Sequence, residues 1–273
     1  MKWTKIGHWL PEIPGMTHAA MPTWFEGDLY FSPRDRLNRS YTYRAPFNLS
    51  TLALGEPELV LEPGRPGEFD DHGAMVSWVC RDGPRVMLYF IGWNLGLTVP
   101  FRNSIGLAVN DEKLIGPILD RNRYDNIFVA SCCTLRWYVS ALGWRNRDPA
   151  RPYSVEPVYH IVNGHPHSPA ITFKNLETEW AIARPSVIQD SVYRMWYAYR
   201  GAEYRIGYAE SLDGLKWTRK DESVGIDIGS PGSFDDRAVT YPMVFDDGKN
   251  RYMLFNGNFY GRTGFGLAIL EQD

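Results

Sequence analysis

Val192-Tyr-Arg-Met-Trp-Tyr-Ala-Tyr-Arg-Gly-Ala-Glu-Tyr-Arg-Ile-Gly-Tyr-Ala-Glu-Ser-Leu-Asp-Gly-Leu-Lys-Trp217 is one copy of a unit that recurs along the chain. It runs from an aromatic-rich alternating strand through a turn into a short strand that contains glycine. Centring each copy on Phe31, Phe90, Tyr138, Tyr197 and Phe255 gives five copies separated by 59, 48, 59 and 58 residues. The clearest glycine-containing third strands are Ser104-Ile-Gly-Leu-Ala-Val109, Arg205-Ile-Gly-Tyr-Ala-Glu210 and Gly264-Phe-Gly-Leu-Ala-Ile-Leu270. Alternation bounded by Gly, Pro, Asp and Asn specifies antiparallel strands, and no long window has a helical period. The chain is therefore expected to be all-β. A repeat of this length in an all-β chain predicts a five-bladed β-propeller of four-stranded antiparallel blades. Trp3 to Leu10 is left over, to close the ring as an outer strand of the last blade.

The 273 residues are expected to form a single domain, 1–273. Hydrophobic residues make up 44% and aromatics 14%, enough for a packed core, and a net charge of -3 gives no global attraction to nucleic acid or anionic membrane. No apolar leader and no stretch long enough for membrane insertion is present, and three cysteines, Cys80, Cys132 and Cys133, make no disulfide framework. These features predict a cytoplasmic protein. Loop candidates are Glu62 to Gly67, Arg145 to Pro152, Asn163 to Pro169 and Asp227 to Gly232.

The first strand of each blade lines the central funnel of a propeller. Aligning these strands on Pro22, Ser77, Cys132, Pro185 and Pro242 leaves an acidic residue six or seven positions earlier in four of them. These are Asp70 or Asp71, Asp125, Glu179, and Asp235 or Asp236; the first repeat offers His18 instead. A ring of carboxylates in one funnel would raise some pKa values and leave others ionised, the division that acid/base chemistry on a sugar requires. The competing reading is turn chemistry, because aspartate before a strand caps a turn and Phe-Asp-Asp occurs twice. Asp213-Gly214 resembles an Asp-box and is assigned to a structural hairpin.

Arginines recur at the third strands as Arg39, Arg102, Arg205 and Arg262, with Arg34 and Arg200 near the ends of the preceding strands. Clustered guanidinium groups would bind carboxylate or phosphate; the alternative is that each pairs with an acid of its own or the adjacent blade. Trp93, Trp144, Tyr199, Tyr204, Tyr241 and Tyr260 could stack on a sugar, and Asn94, Asn103, Asn256 and Asn258 could take its hydroxyls. The sequence has no nucleophile elbow, Walker or dinucleotide fingerprint, and His165-Pro-His167 lacks a further ligand nearby, so neither a cofactor nor a transition metal is expected.

His18-Ala-Ala-Met-Pro22, Phe69-Asp-Asp-His-Gly-Ala-Met75, Gly92-Trp-Asn94, Glu179-Trp-Ala-Ile-Ala-Arg-Pro185, Tyr193-Arg-Met-Trp-Tyr197, Tyr204-Arg-Ile-Gly-Tyr-Ala-Glu-Ser211 and Tyr241-Pro242 together resemble the five-bladed propellers related to glycoside hydrolase families 32, 43, 62, 68 and 130. The likeness is closest to a branch linked to bacterial surface-polysaccharide and sugar biosynthesis; a related domain occurs in plant glucosamine inositolphosphorylceramide transferases. It spans essentially the whole chain and brings Arg184 into the candidate site. The hydrolases place three acids around the funnel. Here the first-blade acid is absent at His18, Asp70 or Asp71 can stand for the second, and Glu179 or the Asp235-Asp236 pair for the proton donor.

The resulting expectation is a carbohydrate-active protein acting on an anionic sugar, such as a nucleotide-sugar, sugar phosphate or acidic glycan, at a glycosidic or phosphoglycosidic bond. Asp71 and Asp236 are the acid/base candidates, Glu179 the next, and Arg39, Arg102 and Arg205 the anion clamp. The alternative is a non-catalytic sugar-binding or scaffold subunit. The expected partner is a small molecule or oligosaccharide, not nucleic acid.

Overall fold

The computed structural model describes residues 1–146, 148, 150 and 154–271, so part of the predicted 145–152 loop lies outside the described residues. The fold is all-β apart from two short helical turns. One sheet orders strands Thr17–Phe25, Asp28–Arg34 and Thr42–Asn48, with Ala53–Leu54 and Glu58–Leu61 both on the last. A second orders Gly73–Asp82, Arg85–Leu95, Phe101–Val109 and Glu112–Lys113. The largest has eight strands: Val129–Cys133, Trp137–Asn146, Val155–Gly164 and its neighbour His167–Ile171, then Ala181–Gln189, Tyr193–Arg200, Tyr204–Ser211 and Thr218–Arg219. Its two halves meet through one parallel pair, Tyr159 opposite Ala181. In the last sheet Thr240–Asp246, Arg251–Asn256 and Phe265–Leu270 are completed by Trp3–Trp9, antiparallel to Phe265–Leu270, which is the role assigned to the leftover N-terminal strand.

The repeat has a packing cause. Phe31, Phe90, Tyr138, Tyr197 and Phe255 all lie on second strands and are at most 4% exposed. Phe90 faces Gly106, Tyr197 faces Gly207 and Phe255 faces Gly266 across the ladder. A Cβ at those glycines would stand 2.2, 2.4 and 2.6 Å from the opposing ring, so the glycine is what lets the ring lie flat over the third strand.

Every first strand also carries a bulge, with register breaks at Ala20/Thr23, Val76/Trp78, Ala130/Cys132, Ala183/Ser186 and Thr240/Met243. Three breaks place a left-handed residue before proline: Met21, Arg184 and Tyr241, with φ of 58°, 54° and 54°. Proline has no N–H to give the ladder, which suits it to an interruption.

Buried polar side chains tie the sheets in sequence. Ser32 Oγ accepts the Val76 N–H, Ser77 Oγ the Cys132 N–H, Ser131 Oγ the Arg184 N–H and Ser186 Oγ the Val244 N–H, at 2.7–3.0 Å. Asn256 Oδ1 then accepts the Met21 N–H at 2.8 Å, returning from the last sheet to the first. No helix among the described residues is long and apolar enough to cross a membrane.

Candidate functional site

The recurring acids have partners at the edges of their own repeats. Asp70 pairs with Lys113 at 2.7 Å, Asp125 with His167 at 3.0 Å, Glu179 with Arg219 at 2.5 Å, and Asp235 with Lys5 at 2.5 Å. Each partner lies on the outer strand of the sheet section whose first strand follows the acid, and the four acids are only 1–7% exposed. Their recurrence is that of a polar pair, with lysine or arginine as the partner in three cases and histidine in the fourth, fastening an outer edge to a first strand. Burial opposes ionisation of Asp125, but hydrogen bonds from Ser140, His167, Asn122 and Tyr138 hold its carboxyl below the usual range.

Asp71 and Asp236 cap matching loops, accepting the backbone N–H of Gly67 at 2.9 Å and of Gly232 at 2.7 Å. Asp236 also accepts from Asn258 at 2.8 Å, and the Gly232 and Asn258 bonds lower its pKa. Asp213 accepts from the Leu215 and Lys216 amides, the structural turn assigned to it. Loop hydrogen bonds thus engage one oxygen of Asp71 and the carboxylates of Asp236 and Asp213, while ion pairs engage Asp70, Glu179 and Asp235.

Several expected ligand contacts are taken up within the fold. Arg39 pairs with Asp35 at 2.8 Å, and Arg205 bonds the Tyr204 and Arg237 carbonyls and lies 3.1 Å from Asp227. Arg184 is fully buried, donates to Pro22 O at 3.2 Å and Thr23 Oγ1 at 2.7 Å, and is pushed down to about 10 by desolvation. Asn256 bonds Met21, Ala19 and Gly264, while Asn258 holds the Arg237 and Ala238 amides. Trp144 packs on Phe101 and Phe128, and Tyr199 lies 5.6 Å from the Arg219 guanidinium. Arg102 is exposed; Asn94 and Asn103 are half-buried beside it on paired strands.

The structure gathers a different set. Tyr204 lies tilted against Tyr241 at 5.7 Å and edge-on to Tyr260 at 6.0 Å, and its hydroxyl meets that of Tyr159 at 2.7 Å. The Arg200 guanidinium lies 5.5 Å from the Tyr204 ring and 6.0 Å from the Tyr260 ring. Arg34 lies 5.9 Å over Trp93, whose ring meets His72 edge-on at 4.6 Å. Arg34 also acts electrostatically on His18, Tyr241 and Tyr260, joining the two groups. Tyr159, Glu156 and His72 were not singled out in the sequence. Tyr159 stands in the alternating stretch Val155–Gly164, where its pattern is that of a core residue.

The electrostatics of this cluster are unbalanced. Arg34 has no carboxylate at ion-pairing distance among the described residues; its Nη1 donates to Asn38 at 3.1 Å, while its Nε is buried without a partner. The Trp93 Nε1 is likewise buried and unpartnered. Arg34 is half-buried, and partial desolvation lowers its pKa. His18 is pushed down to about 4 by burial and by Arg34 and Arg262, so it is neutral at pH 7. Burial raises the Tyr159, Tyr204 and Tyr241 phenols, which remain neutral donors. Glu156 is the acid beside the cluster, 3.5 Å from Arg145 and 3.8 Å from Arg200. Backbone strain accompanies the site: His18, Tyr241, Phe259 and Tyr260 all have φ between 52° and 65°. Among the described residues no group of three His, Cys, Asp or Glu side chains could hold a metal ion.

No family model matches the chain. The fold resembles glycoside hydrolase propellers. It aligns with a thermostable family-43 glycoside hydrolase at a TM-score of 0.62 and 14% identity, covering 97% of this chain and 92% of the other. An α-L-arabinofuranosidase from Lactobacillus brevis aligns at a TM-score of 0.55 and 15% identity, over 95% and 93%. At that identity the likeness establishes architecture only. In sequence, the chain is 36% identical over 302 aligned positions to the uncharacterized protein MT1551 of Mycobacterium tuberculosis, with 100% of both chains covered. With its whole length matched in this way, the chain belongs to the family of MT1551.

Proposed function

We propose that this protein is a carbohydrate-active, single-domain, five-bladed propeller whose funnel takes an anionic sugar. The blade count reads the eight-stranded sheet as two blades joined at the Tyr159–Ala181 pair, and the ring of side-chain bonds supports it. The observation that carries the ligand class is Arg34. A half-buried guanidinium with a buried, unpartnered Nε and no carboxylate at ion-pairing distance among the described residues, beside an unpartnered indole N–H and a neutral histidine, suits a phosphate or carboxylate. Tyr204, Tyr241 and Tyr260 supply aromatic faces for the sugar ring. Among the candidate arginines, Arg34, Arg200 and Arg262 are favoured as the anion-binding set, because Arg39 and Arg205 are paired within the fold and Arg102 is not placed with the tyrosine cluster.

The reaction class is cleavage or transfer at a glycosidic or phosphoglycosidic bond, with Asp71 the leading acid/base residue, since one of its oxygens caps the Gly67 amide and the other has no donor among the described residues. A second reading, binding without turnover, is favoured by the ion pairs that occupy Asp70, Glu179 and Asp235. The unbridged cysteines support a cytoplasmic setting. Mass spectrometry of the protein incubated with nucleotide sugars, sugar phosphates and acidic and neutral oligosaccharides separates these readings. Product from an anionic substrate supports the first, retention of intact anionic ligand the second, and exclusive action on neutral glycans removes the proposal.

A further inference from the structure

Next to the arginine and tyrosine cluster, the segment that leads from the N-terminal edge strand into the first sheet borders an open, solvent-accessible pocket of about 570 Å³. Leu10, Ile13, Pro14 and Met16 give it apolar walls, Glu12 contributes a carboxylate, and His18 and Arg262 form the boundary with the funnel. Glu12 has neither a salt-bridge nor a hydrogen-bond partner among the described residues. The volume falls within the roughly 300–1,000 Å³ of small-ligand sites, while the apolar walls call for a flat or compact organic group rather than a second sugar.

We propose that this pocket seats a nucleoside, so that the anionic sugar arrives as a nucleoside diphosphate sugar. The inference rests on the anionic-sugar reading of the funnel. In this arrangement the diphosphate spans His18, Arg262 and Arg34, the sugar lies toward Tyr241 and Tyr260, and the base packs between Ile13, Met16 and the prolines. Arg34 already acts electrostatically on both sides of this path, on His18 and on Tyr241 and Tyr260. Glu12 favours a base that presents ring N–H donors, as uracil and guanine do, and disfavours a hydrocarbon chain that would strip the carboxylate of water without bonding it.

Calorimetric titration of the full chain with uridine diphosphate, guanosine diphosphate, inorganic pyrophosphate and farnesyl diphosphate tests this assignment. One of the two nucleotides should bind about tenfold or more tightly than pyrophosphate, and Glu12→Ala should remove about tenfold of that advantage, the size of one hydrogen bond to a charged group. The same substitution should leave pyrophosphate binding unchanged, and Arg34→Gln should weaken both. Glu12 is exposed, so its variant is expected to fold. Nucleotides no tighter than pyrophosphate, an advantage insensitive to Glu12→Ala, or farnesyl diphosphate exceeding both nucleotides would overturn the nucleoside assignment. If pyrophosphate or glucose 1-phosphate still bound in an Arg34-dependent way, the funnel reading would survive that failure. Loss of all Arg34-dependent anion binding would remove both.

Discussion

Arg34→Met separates an anion-binding role for Arg34 from a structural one, because the two predict different changes in stability. In the free protein the Nε is buried and unpartnered, a defect that costs about 1–3 kcal/mol. Against this, the guanidinium gains a cation–π contact with Trp93, worth about 0.5–1 kcal/mol, and one hydrogen bond to the exposed Asn38. Methionine keeps the stem and the apolar contact with the ring while removing the unbonded charge. With the hydrogen bond counted at about 0.5–1 kcal/mol, the balance lies about 0–1 kcal/mol in favour of the variant, so its Tm should stay level or rise by up to roughly 2–4 °C. Binding should weaken, because a lost charge-assisted bond costs about 1.5–3 kcal/mol, or about tenfold to a hundredfold in affinity. Thermal and urea unfolding give the first quantity, and calorimetric titration with inorganic pyrophosphate the second. A variant that is less stable by about 2 kcal/mol and binds pyrophosphate as well as the parent would refute the reasoning.

Lys5→Met should destabilise the fold by about 3–5 kcal/mol, because it leaves the buried Asp235 carboxylate without its partner at the junction of the N-terminal strand and the last sheet; urea unfolding measures it. Gly207→Ala should cost about 1–3 kcal/mol in the same assay by driving a methyl into the Tyr197 ring. For His18, the unfolded chain takes up a proton near pH 6.5 that the folded chain refuses until about pH 4, so its contribution to stability falls on acidification through that window and is flat above it. After allowance for solvent screening of a partly exposed group the loss is about 1–2 kcal/mol, and His18→Gln should show a correspondingly shallower decline between those pH values. On any substrate that the protein turns over, Asp71→Asn should abolish product formation; unchanged turnover in steady-state assays would remove Asp71 from the mechanism.

The architecture was legible because its causes are local. The aromatic of each second strand and, in three repeats, the glycine facing it recur at fixed spacing, and the residues aligned at Pro22, Ser77, Cys132, Pro185 and Pro242 fall at the five bulges. The site was legible only in its residue types. A carboxylate before each of four first strands is visible in the sequence, but the side chain that engages it comes from a strand 40 to 230 residues away, as with Glu179 and Arg219 or Asp235 and Lys5. Arginines posed a similar problem. Arg39 is matched by the nearby Asp35, Arg205 by Asp227, and Arg184 by blade-crossing carbonyl and hydroxyl groups, whereas Arg34 is half-buried with no acid at ion-pairing distance among the described residues, and Arg102 and Arg262 are exposed. That distinction is tertiary: nothing in the local pattern around Arg34 marks it apart from Arg39. Tyr159 was hidden for the opposite reason, since a tyrosine that joins the Tyr204 cluster from an alternating strand has the same local signature as one that serves only the core.

The central claim is that the funnel recognises a sugar through its negative charge at Arg34. Its most direct test is calorimetric titration of the parent protein and Arg34→Gln with matched pairs of sugar 1-phosphates and the methyl glycosides of the same sugars. The account predicts that the parent prefers the phosphate and that Arg34→Gln loses about tenfold or more for the phosphate with little change for the glycoside. Equal losses for both members of a pair, or tighter binding of the neutral glycoside by the parent, would contradict it.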